Sequence, residues 1–168
     1  MRQRVVIAMA MVCAPELLIA DEPTTAVDVT IQAQILDLMK RLQAETGTSI
    51  LLITHDLAVV AQMAHEVAVM YLGRIVEQAD VRAVMKAPRH PYTIAMLESL
   101  PGLHQAHETL ASIRGAVPAL TEIPPGCPFH PRCDHCKAGL CDVGGPPALD
   151  KVSEGHLVAC VRAAEIHP

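Results

Sequence analysis

The sequence predicts an α/β protein, in which a parallel sheet flanked by helices precedes a small, loop-rich domain that contains most of the cysteines. The first observation is that short all-apolar runs alternate with longer segments of helical periodicity. The second is that prolines become frequent after about residue 101, and apolar periodicity ends there. We therefore place a domain boundary near residue 100, which gives domains at 1–100 and 101–168.

The first helix and the first two strands are predicted from apolar runs. Arg2–Cys13 predicts a helix of small and apolar residues, which Pro15 closes. Leu17–Ala20 is wholly apolar, so we predict a strand that is covered on both faces. Ser49–Ile53 predicts a second buried strand of the same kind.

The longest predicted helix lies between these strands, from Val29 to Thr46. Asp28 is a favourable N-cap for it, and Gly47 is a favourable C-terminal stop. Its apolar residues recur on one face at helical spacing, namely Ile31, Ile35, Leu38 and Leu42.

Further elements are predicted between this region and residue 100. They are a helix from Leu57 to about Ala64 capped by Asp56, strands Glu66–Tyr71 and Arg74–Glu77 joined at Gly73, and a helix Tyr92–Leu100 with Pro91 in its first turn. After residue 101 the chain has too little apolar material for a conventional core. The cysteines are therefore the candidates that hold that segment together.

Composition and charge exclude several classes of protein. The 18 acidic residues outnumber the 13 Lys and Arg and no basic stripe occurs, so we expect no nucleic-acid partner. No segment resembles a signal peptide. The longest apolar stretch, Val5–Ala20, is interrupted by Pro15 and Glu16 and is shorter than the ~20 apolar residues that a membrane span needs. We expect a soluble protein that is able to lie against a membrane protein.

Two adjacent carboxylates follow the first predicted strand. In the run LLIADEPTTAVD, Asp21 and Glu22 stand at the carboxyl end of the strand, where open parallel sheets bind their ligands. An apolar strand that ends in Asp is the Walker B pattern of P-loop nucleotidases, whose Asp holds Mg²⁺. A following Glu is able to orient or deprotonate an attacking water. The alternative is that both are solvated turn residues beside Pro23.

A histidine follows the second predicted strand. In the run ITHD, His55 emerges at the same edge of the sheet as the two carboxylates, where it is placed to bond a γ-phosphate. Taken alone, His55 is more simply a polar residue at the end of a strand. Together with the acidic pair upstream, it favours a nucleotide site.

These motifs resemble a known family. The runs MRQRVVIAMAMVCAPELLIADEPTTAVDVTIQAQILDLMKRL and ILLITHDLAVV are similar to the C-terminal half of the nucleotide-binding domain of ABC transporters. The resemblance implies ATP and Mg²⁺ as cofactors. It also implies that Asp21 is the Walker B aspartate that binds Mg²⁺, that Glu22 is the catalytic carboxylate, and that His55 is the switch histidine.

The same resemblance implies three further nucleotide-binding residues. Arg2 and Gln3 begin the helix after the family's signature motif, and Asp28 ends the D-loop TAVD, which meets the partner subunit. We include all three in the expected nucleotide-binding site. In this family ATP is hydrolysed between two such domains, which drives the opening and closing of a membrane channel.

Three later motifs narrow the resemblance to one branch. HPYT at His90–Thr93, GCPFHPRC at Gly126–Cys133 and GHLVAC at Gly155–Cys160 resemble the ATPases of oligopeptide and dipeptide importers. This implies a second ABC ATPase subunit, in a homo- or heterodimer, together with transmembrane permease subunits and, indirectly, a peptide-binding protein. It also implies a peripheral location on the cytoplasmic side of the inner membrane.

The sequence lacks the phosphate-binding loop that such an ATPase requires. No glycine is followed by lysine, so the pattern G-x-x-x-x-G-K-[ST] is absent, as are the family's Q-loop and LSGG signature. We expect a C-terminal part of a longer protein. We also expect that this chain alone neither hydrolyses ATP nor binds it tightly, and that it exposes apolar surface.

Five of the six cysteines lie between Cys127 and Cys160. Four thiolates suffice for zinc or for a four-iron cluster, and the spacing C-x5-C-x2-C-x4-C is not a common zinc-ribbon pattern, so the metal stays open. The alternatives are free thiols in a flexible tail, or a structural or redox cluster module whose ATPase half is vestigial. Cys136, between Cys133 and Cys141, is one of the five.

The resemblance to peptide importers implies a specific set of ligands. Some members carry a 4Fe-4S cluster on cysteines that match Cys127, Cys133, Cys141 and Cys160 of this sequence. Cys136 is then an additional thiol, and it is the alternative for the third ligand. Either assignment implies that the cluster substitutes for the missing core.

Overall fold

The computed structural model describes residues 2–100 and 112–166 of an α/β chain, the predicted fold class. The chain divides into two compact units, Met1–Ala64 and His65–Pro168. The predicted boundary near residue 100 falls inside the second unit.

The first unit contains three helices and two strands. They are α1 (Arg2–Met11), β1 (Leu17–Asp21), α2 (Val29–Thr46), β2 (Ser49–Ile53) and α3 (Leu57–Met63). Strands β1 and β2 pair in parallel, with Leu17 opposite Ser49 and Asp21 opposite Ile53. This register confirms the parallel pairing that the sequence predicts, and it brings the carboxyl ends of the two strands to the same edge.

The caps of α2 are those predicted. The Asp28 side chain accepts a hydrogen bond from the Ile31 backbone N–H at 2.9 Å. Gly47 ends the helix in the left-handed region, at φ 73°, where a side chain would be strained. Asp56 caps α3 in the same way, through the backbone N–H groups of Ala58 and Val59.

The two-stranded sheet is covered on one face only. Ala20, Ile50 and Leu52 pack against a small core of Ile7, Ile35 and Met39. The opposite face exposes large apolar side chains, namely Leu17 at 53%, Ile19 at 60%, Leu51 at 49% and Ile53 at 46%. The predictions that β1 and β2 are buried strands covered on both faces are therefore wrong for this chain, because no described element packs on the second face. The expected exposure of apolar surface is confirmed.

The second unit is built on an antiparallel sheet. Its elements are β3 (Glu66–Tyr71), β4 (Arg74–Asp80), α4 (Val81–Lys86), α5 (Pro91–Glu98), a 3₁₀ turn (His130–Arg132), β5 (Asp150–Ser153) and β6 (His156–Val158). The strand order is β3-β4-β6-β5. Leu72 and Gly73 join β3 to β4, and both have positive φ, which suits a tight hairpin.

The sheet topology explains why residues on both sides of the predicted boundary belong to one compact unit. Strand β6 comes from the cysteine-containing segment, yet it pairs with β4 at Glu77 and Gln78. The sheet therefore joins residues from both sides of residue 100. Among the described residues, the parallel pairing is limited to β1 and β2.

All three aromatic residues of the chain meet in the second unit. Tyr71 lies 4.8 Å from Tyr92 and 5.3 Å from Phe129, measured between ring centroids, and Tyr92 lies 5.4 Å from Phe129. Phe129 is 2% exposed. The loop segment therefore has an aromatic anchor to β3 and α5, in addition to its cysteines.

A buried carboxyl group ties three elements of this unit together. One oxygen of Glu77, on β4, accepts hydrogen bonds from the Arg89 backbone N–H and from Nε2 of His156, both at 2.7 Å. The other oxygen accepts from the His90 backbone N–H at 3.0 Å. Glu77 is fully buried, so these partners replace the water that its oxygens lose.

None of the helices within the described ranges is both long and apolar enough to span a membrane.

Candidate functional site

The acidic pair and the histidine meet at the carboxyl edge of the parallel strands. The Glu22 backbone N–H donates to the carbonyl oxygen of Ile53 at 2.9 Å, which extends the ladder by one residue. Nδ1 of His55 lies 2.8 Å from Oε1 of Glu22, within hydrogen-bonding distance. The parallel register thus joins two side chains that lie 33 residues apart in the chain.

Glu22 has an unusual backbone conformation. Its φ is +48°, in the left-handed region that a residue with a side chain rarely adopts. Such a conformation costs on the order of 1–3 kcal/mol and is concentrated at functional sites. The Thr25 hydroxyl donates a hydrogen bond to Oε2 of Glu22, while His55 contacts Oε1. Both carboxylate oxygens therefore have partners that fix the direction of the group.

The contact shifts the proton affinities of both groups. Hydrogen bonds from Thr25 and then from His55 lower the pKa of Glu22. Burial opposes them, and the charge of His55 adds a smaller lowering effect. The hydrogen bond to Glu22, followed by its charge, raises the pKa of His55. Glu22 is therefore held as a carboxylate, the form that a general base requires.

The other predicted site residues of this unit lie around the same edge or in a helix cap. Asp21 ends β1 next to Glu22 and is exposed. Nε2 of Gln3 donates to the backbone carbonyl of Pro23 at 2.7 Å, which ties α1 to the loop after the acidic pair. Asp28 is used as the N-cap of α2. The side chain of Arg2 lies outside the part of the chain that the structure describes.

Two polar residues at this edge were not singled out from the sequence. Thr25 contacts Glu22, as described above, and Nε2 of Gln32 donates to Oδ2 of Asp56 at 3.0 Å. Burial raises the pKa of Asp56, but the hydrogen bonds from Gln32, Val59 and Ala58 outweigh it, so the net pKa is lowered. Thr25 lies in the run LLIADEPTTAVD, three residues after Glu22, so its contact with Glu22 could have been predicted from the sequence. The contact of Gln32 with Asp56 joins residues 24 positions apart and is established only by the fold.

A second candidate site is a pocket in the other unit, which we call the thiol pocket. It is lined by Cys127, Cys133, Cys141 and Cys160. Cys136 is exposed and does not line it. The lining therefore contains the four cysteines that the family resemblance implies, without the additional one.

A glycine brings two of these cysteines together. The backbone N–H of Gly126 donates to Gly144, and that of Cys127 donates to the carbonyl of Cys141 at 2.8 Å. Gly126 has φ +67°, and a Cβ at this position would collide with the carbonyl oxygen of Cys141. Only glycine allows this close approach of the two loops.

Burial favours the protonated form of three of the thiols that line the pocket. Burial raises the pKa of Cys127 and of Cys160, and it raises the pKa of Cys133 to about 12. A metal that binds there must displace these protons, because the thiolate is the ligand. No three metal-binding side chains of the described residues gather as a ready site for a single ion.

A neutral histidine also lines the thiol pocket. His90 is fully buried beside Phe129, with a ring-centroid distance of 6.1 Å. Burial lowers its pKa to about 4, against a smaller upward effect of the Ala159 backbone. His90 stands in the HPYT motif, for which the sequence predicts only the start of a helix. The structure therefore adds a residue to this site.

Comparison with known proteins identifies relatives over nearly the whole chain. Residues 76–141 match the family described as oligopeptide/dipeptide transporter, C-terminal region. A Brucella ovis protein whose name describes a peptide import ATP-binding protein is 53% identical over 172 aligned positions, which cover 99% of this chain and 50% of that protein. These matches confirm the resemblance to peptide importers that the sequence motifs indicate.

Two relatives from Escherichia coli give the same result. The dipeptide transport ATP-binding protein is 51% identical, with 95% of this chain and 48% of that protein covered. The oligopeptide transport ATP-binding protein is 49% identical, with 98% and 48% covered. The chain thus spans about half the length of the curated relatives that it matches.

One solved structure is similar in part. It is a dimeric, post-hydrolysis state of an ATP-binding cassette bound to ADP and phosphate, 31% identical, with a TM-score of 0.44. The match covers 48% of this chain and 34% of that one.

Proposed function

We propose that this chain, a homologue of peptide import ATP-binding proteins over nearly its whole length, supplies the hydrolytic half of an ATP site that powers peptide import. The observation that carries the proposal is the contact of Glu22 with His55 at the carboxyl edge of β1 and β2. In parallel sheets this edge is where ligands bind.

The residues at this edge have distinct proposed roles. Asp21 binds Mg²⁺, whose ligands are oxygen atoms and nucleotide phosphates. Glu22, kept ionised by Thr25 and His55, orients or deprotonates the attacking water. His55 lies within hydrogen-bonding distance of Glu22, and in the presence of nucleotide we propose that it contacts the γ-phosphate.

Three further residues are proposed to act where two subunits meet. Gln3 is tied to the loop after Glu22 through the Pro23 carbonyl, so a contact at α1 is transmitted to the catalytic loop. Asp28 and Arg2 are proposed to lie on the same interface. Their roles rest on the family motif, and the Asp28 cap shows only that this loop is held in place.

A chimaera tests the proposed ATP site. This chain would be joined to the half of the Escherichia coli dipeptide transport protein that it does not match, and Mg-ATP binding and hydrolysis would be measured. We expect the chimaera to bind ATP with micromolar affinity and this chain alone not to do so. Micromolar binding by this chain alone would contradict the expectation that the phosphate-binding loop is required.

A matched pair of variants tests the role of Glu22 in that chimaera. Glu22→Gln is expected to keep ATP binding and to lower hydrolysis by roughly 100-fold or more, since it removes a general base. Glu45→Gln, which neutralises an exposed acid at the end of α2, is the control and should leave both unchanged. Hydrolysis that survives Glu22→Gln at the original rate would overturn the proposal.

For the thiol pocket we propose a 4Fe-4S cluster held by Cys127, Cys133, Cys141 and Cys160. The support is that all four thiols line one pocket and that Cys136 does not. The donor set fits, because such clusters are bound by four Cys thiolates. The cluster would supply the bonds that hold a segment poor in apolar residues.

Metal analysis of anaerobically purified protein tests this assignment. We expect about four iron atoms and as much acid-labile sulfide per chain. Cys127→Ser should lose both and loosen the second unit, whereas the control Cys136→Ser should retain both. Zinc without sulfide, or no metal at all, would contradict the cluster.

The proposed partners follow from the relatives. We propose a second ATPase subunit, transmembrane permease subunits, and a peripheral location on the cytoplasmic face of the inner membrane, with peptide delivered by a binding protein. Co-purification of the chimaera with the permease subunits of the dipeptide importer tests this assembly. A chimaera that hydrolyses ATP but remains separate from the permease would argue against it.

A further inference from the structure

The ring of His90 is held in one tautomer. Its Nδ1 accepts a hydrogen bond from the Tyr92 backbone N–H at 3.1 Å, and this bond caps the N-terminus of α5. An accepting Nδ1 carries no hydrogen. The proton of the neutral ring is therefore on Nε2, which is a hydrogen-bond donor.

This donor has no acceptor of ordinary geometry among the described residues. Nε2 of His90 is inaccessible to solvent and makes no hydrogen bond of ordinary geometry there, although a hydrogen bond with the Ala159 backbone raises the pKa of the ring. A buried donor that lacks an acceptor destabilises the fold. His90 also lines the thiol pocket, and Ala159 immediately precedes Cys160.

We propose that His90 is a positioning residue of the thiol pocket, whose Nε2–H donates a hydrogen bond to a sulfur atom of the group that the four cysteines hold. The inference rests on the cluster proposed above. Sulfur atoms of an iron–sulfur cluster and its thiolates carry negative charge and accept such bonds. The acceptor that Nε2 lacks is then the occupant of the pocket itself.

The bond has a measurable electrochemical consequence. Reduction adds negative charge to a cluster, and a hydrogen bond to its sulfur stabilises that charge. Hydrogen bonds to the sulfurs are among the features that set cluster potentials. Loss of the His90 donor should therefore move the reduction potential to a more negative value.

Two variants separate the two nitrogen atoms of the ring. In His90→Asn, the short side chain is a good N-cap for α5 but does not reach the position of Nε2. In His90→Gln, the amide N–H₂ reaches the position of Nε2, while the cap is weakened. If His90 had only a structural role, the reduction potential and the thermal stability would change together in both variants.

The experiment measures metal content, reduction potential and thermal stability of the full chain, purified anaerobically. We expect His90→Asn to retain iron and sulfide, to unfold near the wild-type temperature and to have a more negative potential. We expect His90→Gln to keep a potential close to wild type and to unfold at a lower temperature.

Thr93 provides the control. It is fully buried in the first turn of α5, its hydroxyl has no hydrogen-bond partner among the described residues, and it does not line the pocket. Thr93→Val removes this hydroxyl at nearly constant volume and should leave the potential unchanged. A shift in Thr93→Val as large as that in His90→Asn would mean that the potential responds to packing of α5, which overturns the inference.

The outcomes distinguish this inference from the proposed cluster. If the wild-type chain contains no iron and sulfide, the proposed cluster and the proposed role of His90 are both wrong. If it contains the cluster and His90→Asn leaves the potential unchanged, the donor bonds elsewhere, for example to Ala159, and only the inference falls.

Discussion

At the scale of single residues, Glu22 and His55 form a coupled pair whose proton affinities depend on each other. Glu22→Gln removes the charge and weakens the hydrogen bond that raise the pKa of His55. We therefore expect the pKa of His55 to fall toward its ordinary value. Titration of the imidazole resonances by NMR measures this shift.

The control for this titration is Glu45→Gln, because Glu45 does not contribute to the pKa of His55. An equal shift in that variant would mean that general charge, and not the contact, raises the pKa of His55.

The sign of the coupling between Glu22 and His55 also sets a pH window. Because its pKa is lowered, Glu22 contributes its full stabilisation above pH 4.5. Because its pKa is raised, His55 contributes its full stabilisation below pH 6.5. The attraction is thus fully present between these values and weakens on either side.

The single residues also show what the sequence predicts well. Asp28, Gly47 and Asp56 were predicted as helix caps, and all three are, because a cap depends on neighbours within about four residues. The positive φ of Glu22 was not predicted, because nothing in its own side chain favours it. It follows from the ladder bond to Ile53, which is fixed only when two strands pair.

At the scale of elements, Glu77 is the residue through which β4, β6 and the start of α5 hold together. Glu77→Ala leaves Nε2 of His156 and the backbone N–H groups of Arg89 and His90 without this acceptor in a buried position. We expect a loss of roughly 3–5 kcal/mol in the free energy of unfolding of the second unit. Both tyrosines lie in this unit and the chain has no Trp, so tyrosine fluorescence follows its unfolding.

Glu77→Gln is the matched comparison. Its amide keeps one acceptor oxygen at nearly the same volume, so we expect a smaller loss of roughly 1–3 kcal/mol. Equal losses in the two variants would show that the volume of the side chain, and not its acceptors, stabilises the unit.

Element pairing is also where sequence-based prediction stops. The strands β1 and β2 were predicted as a parallel pair, because a helix separates them. Strand β6 was not predicted, since His156–Val158 has only three residues and follows a segment that contains Gly144, Gly145, Pro146, Pro147 and Gly155. Its partner β4 is about eighty residues away, and no local pattern reports a contact at that distance.

At the scale of the whole molecule, the open face of the β1–β2 sheet leaves large apolar side chains in contact with solvent. Ile19 and Leu51 pair directly across the two strands, and both are about half exposed. These side chains contribute little to the stability of this chain, because water still reaches about half of their surface. A flat apolar strand surface with unpaired edges favours association between copies.

Replacing this pair by threonine should therefore separate solubility from stability. For Ile19→Thr with Leu51→Thr, we expect the free energy of unfolding to change by no more than about 0.5–1 kcal/mol, since both sites are exposed and Thr suits strands. The aggregated fraction, measured by size-exclusion chromatography at rising concentration, should fall.

Leu52→Thr is the control on the same strand, because Leu52 packs against the core of Ile35 and Met39. It should destabilise the first unit by roughly 1–3 kcal/mol without reducing aggregation. If the double variant unfolds as readily as Leu52→Thr, then the face that we describe as open is covered in solution, and a second copy of the chain is the first candidate to cover it.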